Sequence, residues 1–458
     1  MSGSAAILGV ILSRKFGHGV KTDGFFAAYG VYLAFVLVAG SLRVIVMPRF
    51  VAAERLAAEV SSWALGLAPV LALGAVVAIV WPHWIASALT SNAAAQDQAA
   101  QLLPWLVPAA VAQIYGGLVA SALAALDDYA WAAFGFALGS IVSVVVTLAL
   151  VDHGVVAFGW GLMVNGAVSL AVPLLALLAR MRPAPPDGRA WGRLLELAEG
   201  VALPIALQGL YVVAYRYASG LGTGRATTFS YAYLIAAFLV SVTAASIALV
   251  TTVPFAREGM SPERSARHVL AISWLSLVPV AAACGVFALA GEGVVRRVLG
   301  SSYGGGTGAE LGHLVVYLGP WIVASVALTV AYPLVFVRGR ARWLPAVALA
   351  AIATQVLVEW LLQRWFHLSG VAAGLAVTTA LVLAVLLVAL NALGRVIRGL
   401  IVAAVVCGGV AAIAFAVPRL VLGDFAAAAA GLVLYTVVLA AWRPAGLRQA
   451  WAYVRALQ

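Results

Sequence analysis

Charge is what this sequence has least of. Only 9% of its 458 residues are Asp, Glu, Lys or Arg, and 64% are hydrophobic. Mean hydropathy is +1.07. Residues 102–126, 129–151, 155–179, 227–253 and 311–337 carry no charge of either sign. A soluble fold of this length cannot bury so much apolar surface. Cysteine is nearly absent too: Cys284 and Cys407 both sit inside apolar runs. That excludes a disulfide framework or a cysteine-based metal site and leaves two small core residues. No phosphate-cradling glycine loop ends in lysine, because Gly300–Gly306 reads as a flexible connection between spans. No His/Cys cluster and no Ser/His/Asp set stands out, so an enzyme is not expected, nor a cofactor. The first apolar stretch lacks a cleavage-site pattern and more spans follow it, so a secretory signal is not expected either.

What is there is a series of membrane spans. Crossing a hydrocarbon core of about 30 Å takes roughly 20 apolar residues as a helix. A backbone in lipid must bond to itself, so these runs become helices. Thirteen full spans are expected: 24–47, 61–88, 102–126, 129–151, 155–179, 194–218, 227–253, 268–290, 311–337, 343–363, 368–391, 396–417 and 423–442. A fourteenth, 2–13, is too short to cross alone.

Net charge is +11, from 27 Lys+Arg against 16 Asp+Glu. The arginines lie in loops between spans, which points to membrane topology and not to nucleic acid. With fourteen spans and a cytoplasmic N-terminus, the cytoplasmic loops hold 17 basic residues and the opposite loops 9. This bias predicts both termini in the cytoplasm. The tail 443–458 carries Arg448, Trp451, Tyr453 and Arg455, and reads as an amphipathic segment on anionic membrane lipid. His83, among Trp81, Pro82 and Trp84, reads as interfacial.

The chain is faintly self-similar. Phe25-Phe26-Ala27-Ala28-Tyr29 precedes Pro48 much as Phe229-Ser230-Tyr231-Ala232-Tyr233 precedes Pro254. The pairs Pro48/Pro254 and Pro108/Pro320 recur 206 and 212 residues apart. The polar segment 180–189 lies between the halves, and its prolines and charges cannot sit in lipid. The expected fold is an all-α polytopic membrane protein: two six-helix lobes in parallel pseudo-repeat plus two C-terminal helices. The expected boundaries are 1–180 for the first lobe, 181–193 for a linker and 194–393 for the second lobe. The extra helices follow at 394–442, and the tail at 443–458. Parallel repeats of this kind build transporters.

The run from Phe16 to Tyr29, with Asp23 beside the Phe25-Phe26 pair, resembles the first loop and second-span opening of the MviN/MurJ lipid II flippases. These belong to the multidrug/oligosaccharidyl-lipid/polysaccharide exporter superfamily. Ala218-Ser219-Gly-Leu-Gly-Thr-Gly224 with Tyr231-Ala232-Tyr233 and Pro254 resembles the family's seventh-to-eighth span junction, and Leu318-Gly319-Pro320 and the last two spans also fit. The resemblance implies a transporter that moves a polyprenyl-pyrophosphate-linked saccharide from the inner to the outer leaflet by alternating access. It implies the bacterial inner membrane, a lipid-linked oligosaccharide as substrate, and cell-wall synthesis proteins as partners. The chain departs from the family in its arginines. The short first span has only Arg14 and Lys15 at its end, the second has only Arg43 near its end, and Tyr233 stands where the eighth carries an arginine. A start upstream of Met1 would lengthen the first span. Two alternatives follow: an ion-coupled exporter of small amphiphiles, and a non-transporting scaffold of envelope synthesis.

The candidate substrate-binding residues are Arg14, Lys15, Asp23, Arg43, Gln208 and Arg216. Arginines suit a pyrophosphate through charge-assisted bonds. Asp23 reads either as a cavity-mouth acid paired with Lys21 or Arg14, or as part of a helix cap with Thr22. Arg43 either faces a cavity or snorkels with Arg49. Gln208, Tyr211 and Tyr215 share one helix face, a polar wall or an interfacial belt, with Arg216 beside them. Gln355 and Glu359 are four apart and face one way. The family has a cation-binding pair at that spacing, to which Thr378 would add a hydroxyl, with Na+ or H+ as the coupling ion; the span-seven acid that completes the family's site is absent here. The alternative is a Glu359–Arg364 ion pair. Glu196 and Glu199, beside Arg193, read as favourable charges at a helix N-terminus.

Overall fold

The computed structural model describes residues 2–187, 190–245, 261–338 and 341–456; these are helical almost throughout, with no strand among them. Contacts divide the chain into two compact units, Met1–Thr227 with Trp343–Ile352, and Thr228–Arg342 with Ala353–Gln458.

The first unit holds α1 (Ser2–Phe16), α2 (Val20–Ala52), α3 (Leu56–Val80), α4 (Pro82–Leu89), α5 (Ala93–Ala125), α6 (Ala130–Leu150), α7 (Val156–Arg180) and α8 (Ala190–Ser219). Local chemistry sets several starts. The Thr22 hydroxyl accepts from the Gly19 amide and donates to the Gly19 carbonyl, each at 2.9 Å, at the head of α2. The Asn92 side chain accepts from the amides of Ala94 and Ala95 at the head of α5. The long apolar run over 61–88 is not one helix: it breaks at Trp81–Pro82 into α3 and α4. Proline cannot donate its amide to α3, so it opens the next helix instead.

Packing in this unit runs through small residues. A Cβ on Gly116 would come within 3.0 Å of the Ser169 carbonyl, and one on Gly117 within 3.2 Å of the Ala39 carbonyl. Glycine thus lets α5 approach the backbones of α7 and α2, the usual way for helices to associate where lipid removes the hydrophobic drive between them. Val38, Leu42, Val46 and Phe50 form the core face of α2, packed with Trp63, Leu67, Ile114 and Leu118. α8 packs on α2 and α3 and groups with this unit, which runs to Thr227.

The second unit contains α9 (Arg225–Val240), whose first residues group with the first unit and which ends in a π turn at Ser241–Ala245. It continues with α10 (Pro262–Leu299), α11 (Gly306–Tyr317), α12 (Gly319–Val337), α13 (Leu344–Ala389), α14 (Leu393–Arg419), α15 (Asp424–Trp442) and α16 (Ala445–Arg455). The opening residues of α13 group with the first unit. The end of the expected span 227–253 lies outside the described residues. The expected span 311–337 is bent, with α11 and α12 meeting at 43°. The expected pair 343–363 and 368–391 is present as the two helical arms of α13, separated by a kink at His367 (φ 50°, ψ −128°).

Among the described residues, eleven helices are long and apolar enough to cross a membrane, or up to twelve if the bent pair α11–α12 is one span. Counting the two arms of α13 separately, as the sequence does, reconciles this number with the thirteen full spans expected. The short α1 is not among them. The protein is an all-α, multi-pass membrane protein.

Candidate functional site

In the first unit, Asp23 lies on the opening turn of α2 and is only 2% exposed. Its carboxylate accepts from the Gly224 amide at 2.7 Å, the Thr227 amide at 2.9 Å and the Thr227 hydroxyl at 2.6 Å. Its own carbonyl accepts from the Tyr215 hydroxyl. Asp23 therefore caps α9 from a distance in sequence, in place of capping α2, where Thr22 serves. The connection relies on glycine: Gly222 and Gly224 have φ of 123° and 82°, a region that side-chain-bearing residues avoid. Among the described residues the carboxylate bonds Gly224 and Thr227, and Lys21 lies over the Phe16 ring, 5.6 Å from its centroid.

The Gln208/Tyr211/Tyr215 stripe is packed inside the unit. Tyr211 and Tyr215 are each 1% exposed, and the ring of Tyr211 lies against Gly30 of α2. Gln208 is buried with its amide nitrogen unpartnered among the described residues.

The candidate cations divide. Lys15 pairs with Asp152 at 2.7 Å on the surface. Arg216 donates to the carbonyls of Ser87 and Ala88 at 2.6 and 2.8 Å, holding the C-terminal end of α4. Arg14 is exposed on the last turn of α1. Arg43 is exposed, off the core face of α2, and has no ion pair or hydrogen bond among the described residues. The structure thus does not gather these residues into one cluster, and Arg43 has no local partner among the described residues.

A polar network at the other end of this unit went unread in the sequence. Arg193 (side chain 7% exposed) pairs with Glu59 (12% exposed) at 2.6 Å. Asp187 and Glu196 each lie 3.6 Å from Arg193. Glu59 also accepts from the Trp63 indole at 3.1 Å, and Ser62 bonds Asp187 at 2.7 Å. Arg49 pairs with Glu196 at 2.7 Å. Glu196 is thus an ion-pair partner as well as a helix-opening charge. The only sequence signal for Glu59 is an acid near the start of a span, which helix-dipole chemistry explains equally well.

In the second unit, Gln355 and Glu359 do face one way: the Gln355 amide nitrogen donates to the Glu359 carboxylate at 2.6 Å. Gln355, Glu359 and Thr378 are each fully buried at 0% exposure. Gln355 Oε1, Glu359 Oε2 and Thr378 Oγ1 have no partner among the described residues. The second arm of α13 closes on this pair through Gly374, where a Cβ would stand 2.8 Å from the carboxylate carbon of Glu359. Thr378 follows one helical turn later on that arm. Arg364 does not pair with Glu359; its guanidinium lies over the Trp360 ring, 3.8 Å from the centroid. Gly374 was not singled out in the sequence, although it precedes Thr378 by one turn. No group of three or more His, Cys, Asp or Glu able to hold a metal ion occurs among the described residues. The donor set here is carboxylate, amide and hydroxyl oxygen, the chemistry of hard monovalent or divalent cations.

The fold has solved counterparts. One is a structure described as "Lipid II flippase MurJ, inward closed conformation", with a TM-score of 0.78, 12% identity and coverage of 96% of this chain and 96% of that one. A second is the inward-facing conformation of a multidrug resistance MATE family transporter of the MOP superfamily, with a TM-score of 0.68, 15% identity and coverage of 87% and 94%. The outward-facing conformation of such a transporter gives a TM-score of 0.52 at 14% identity, with coverage of 89% and 92%. No protein-family model and no curated protein sequence matches the chain. The fold is like that of the MurJ flippase and of the MATE transporter structures.

Proposed function

We propose that this protein is a transporter that flips a polyprenyl-pyrophosphate-linked saccharide from the inner to the outer leaflet by alternating access. A lipid II-like peptidoglycan precursor or a related surface-polysaccharide precursor is the substrate class. The observation that carries the reading is likeness of fold to the MurJ flippase over 96% of both chains. The physical need is clear: a charged head group does not cross hydrocarbon unaided. Arg14, Lys15, Asp23, Arg43, Gln208 and Arg216 remain the proposed substrate-side set. Arg43 is assigned to the pyrophosphate, because an uncommitted arginine on a membrane helix is costly without an anionic partner. Asp23 and Arg216 act by positioning α9 and α4. The protein is assigned to the bacterial inner membrane with both termini in the cytoplasm, following the arginine bias, and cell-wall synthesis proteins are its partners.

Transport is coupled to Na+ or H+ at Gln355, Glu359 and Thr378. Three unpartnered buried oxygens on two arms of one helix fit a small cation: Glu359 supplies charge, Gln355 Oε1 and Thr378 Oγ1 neutral ligation. No catalytic role is assigned to any residue.

The second reading, an ion-coupled exporter of small amphiphiles, is favoured by the fold likeness to the MATE transporters and by the modest number of uncommitted cations. The deciding experiment is an outer-leaflet assay for lipid II in cells depleted of their own flippase and expressing this chain, with membrane abundance measured alongside. Restored exposure is the expected result. Protein present without exposure turns the assignment to another lipid-linked saccharide, small amphiphiles or a scaffold role. Transport of amphiphilic dyes by purified protein in vesicles then separates the last two.

A further inference from the structure

The second unit contains a cleft of about 890 Å³ walled by α10, α14 and α16. Each long wall carries the same sequence of chemistry. On α10, Arg267 is followed on one face by Leu270 and Trp274. On α14, Arg395 and Arg398 are followed by Val402. Steps of three, four and seven residues keep these side chains in line. The arginines sit on the opening turns of helices long and apolar enough to cross a membrane, and charged side chains at such helix ends reach the boundary between water and hydrocarbon. The apolar residues lie one to two turns deeper. No Asp or Glu lines the cleft. Arg395 has a local partner, Glu263, at 2.7 Å. Arg267 and Arg398 are exposed and have no ion pair among the described residues.

The third wall is the amphipathic tail helix α16. It is seated on α10 by the His268 Nδ1–Tyr453 hydroxyl contact at 3.2 Å, and by Gly446, where any side chain would overlap Trp274. α16 therefore runs along the cleft as its third wall, with its first turn beside Trp274 and its last beside His268.

We infer that this cleft binds one anionic glycerophospholipid, its phosphate between Arg267 and Arg398 and an acyl chain along Leu270, Trp274 and Val402. The gradient within the cleft decides between sources of phosphate. A soluble phosphate needs only the arginines, whereas a lipid matches the cationic mouth and the apolar depth together. The site does not depend on the transport reading, since none of its residues belongs to the substrate or cation sets.

The test is native mass spectrometry of the delipidated full-length protein in mild detergent, titrated with phosphatidylglycerol or phosphatidylcholine. Wild type is expected to retain one phosphatidylglycerol and no comparable phosphatidylcholine. Arg267→Gln/Arg398→Gln is expected to bind phosphatidylglycerol roughly tenfold or more weakly, given the usual worth of two juxtamembrane arginines. Arg364→Gln/Arg419→Gln removes the same charge elsewhere and is expected to bind as wild type. Equal retention by the cleft variant overturns the proposal, as does equal retention of the two lipids. Displacement of phosphatidylglycerol by millimolar inorganic phosphate reassigns the site to a soluble anion and also overturns it. A second measurement needs no arginine variant. Brominated phosphatidylglycerol is expected to quench wild-type tryptophan fluorescence more than that of Trp274→Phe, and equal quenching rejects the site.

Discussion

Asp23 and Thr227, 204 residues apart in sequence, are joined by two hydrogen bonds to one carboxylate oxygen, at 2.9 Å from the amide and 2.6 Å from the hydroxyl. An acid at the head of α2 thereby supplies the cap that the N-terminus of α9 lacks in its own sequence. Gly224, directly before α9, has no side chain with which to do so.

Removing this cap is expected to destabilise the fold. A carboxylate accepting three bonds in a buried setting is worth more than a solvent-exposed cap, and Asp23→Ala is expected to cost roughly 2–3 kcal/mol. Asp23→Asn, which keeps an acceptor oxygen, is expected to cost less. Thermal unfolding of purified protein in detergent gives the order wild type, Asn, Ala. An unchanged melt for Asp23→Ala would remove the cap from the account.

The Arg193–Glu59 pair makes a sharper case. Both side chains are largely withdrawn from water, so Arg193→Ala leaves an acid without its main partner. The loss is expected to be about 3 kcal/mol. The exposed Lys15–Asp152 pair is expected to contribute less than about 1 kcal/mol. Comparing the melts of Arg193→Ala and Lys15→Ala checks the contrast, and equal shifts would contradict it.

Arg43→Ala is expected to abolish transport while leaving the amount and melting of folded protein unchanged, because Arg43 has no structural partner among the described residues. Arg216→Ala is expected to lower stability, because it strips two hydrogen bonds from the end of α4. Full transport by Arg43→Ala would take it out of the substrate set.

Glu359→Gln preserves shape and removes the charge. It is expected to abolish the dependence of transport on Na+ or H+ while the protein still folds. Gly374→Ala is expected to act in the same direction, since its methyl would stand 2.8 Å from the Glu359 carboxylate carbon and displace it. Cation dependence is read by varying the ion gradient across vesicles. Unaltered dependence in Glu359→Gln would exclude the site.

The path from sequence to site differs from residue to residue. Gln355 and Glu359 were legible because both sit on one helix, where a four-residue step forces a shared face. The helix-breaking Pro82 was visible, but a uniformly apolar run around it hid the division of 61–88. The partners of Asp23, Arg193 and Arg216 could not be read. The partners Thr227, Glu59 and Ser87 lie on other helices, 204, 134 and 129 residues away, and no local rule links them.

Hydrophobicity, loop arginines and turn residues by themselves determined that the chain is a multi-pass helical membrane protein, because lipid leaves a backbone no other way to satisfy its hydrogen bonds. Which polar side chains are committed to holding helices together, and which are left with unmet charge or unpartnered oxygen, was decided only by the tertiary structure. A polar group's role depends on what packing brings within about 3 Å of it, and packing is a property of the folded chain as a whole.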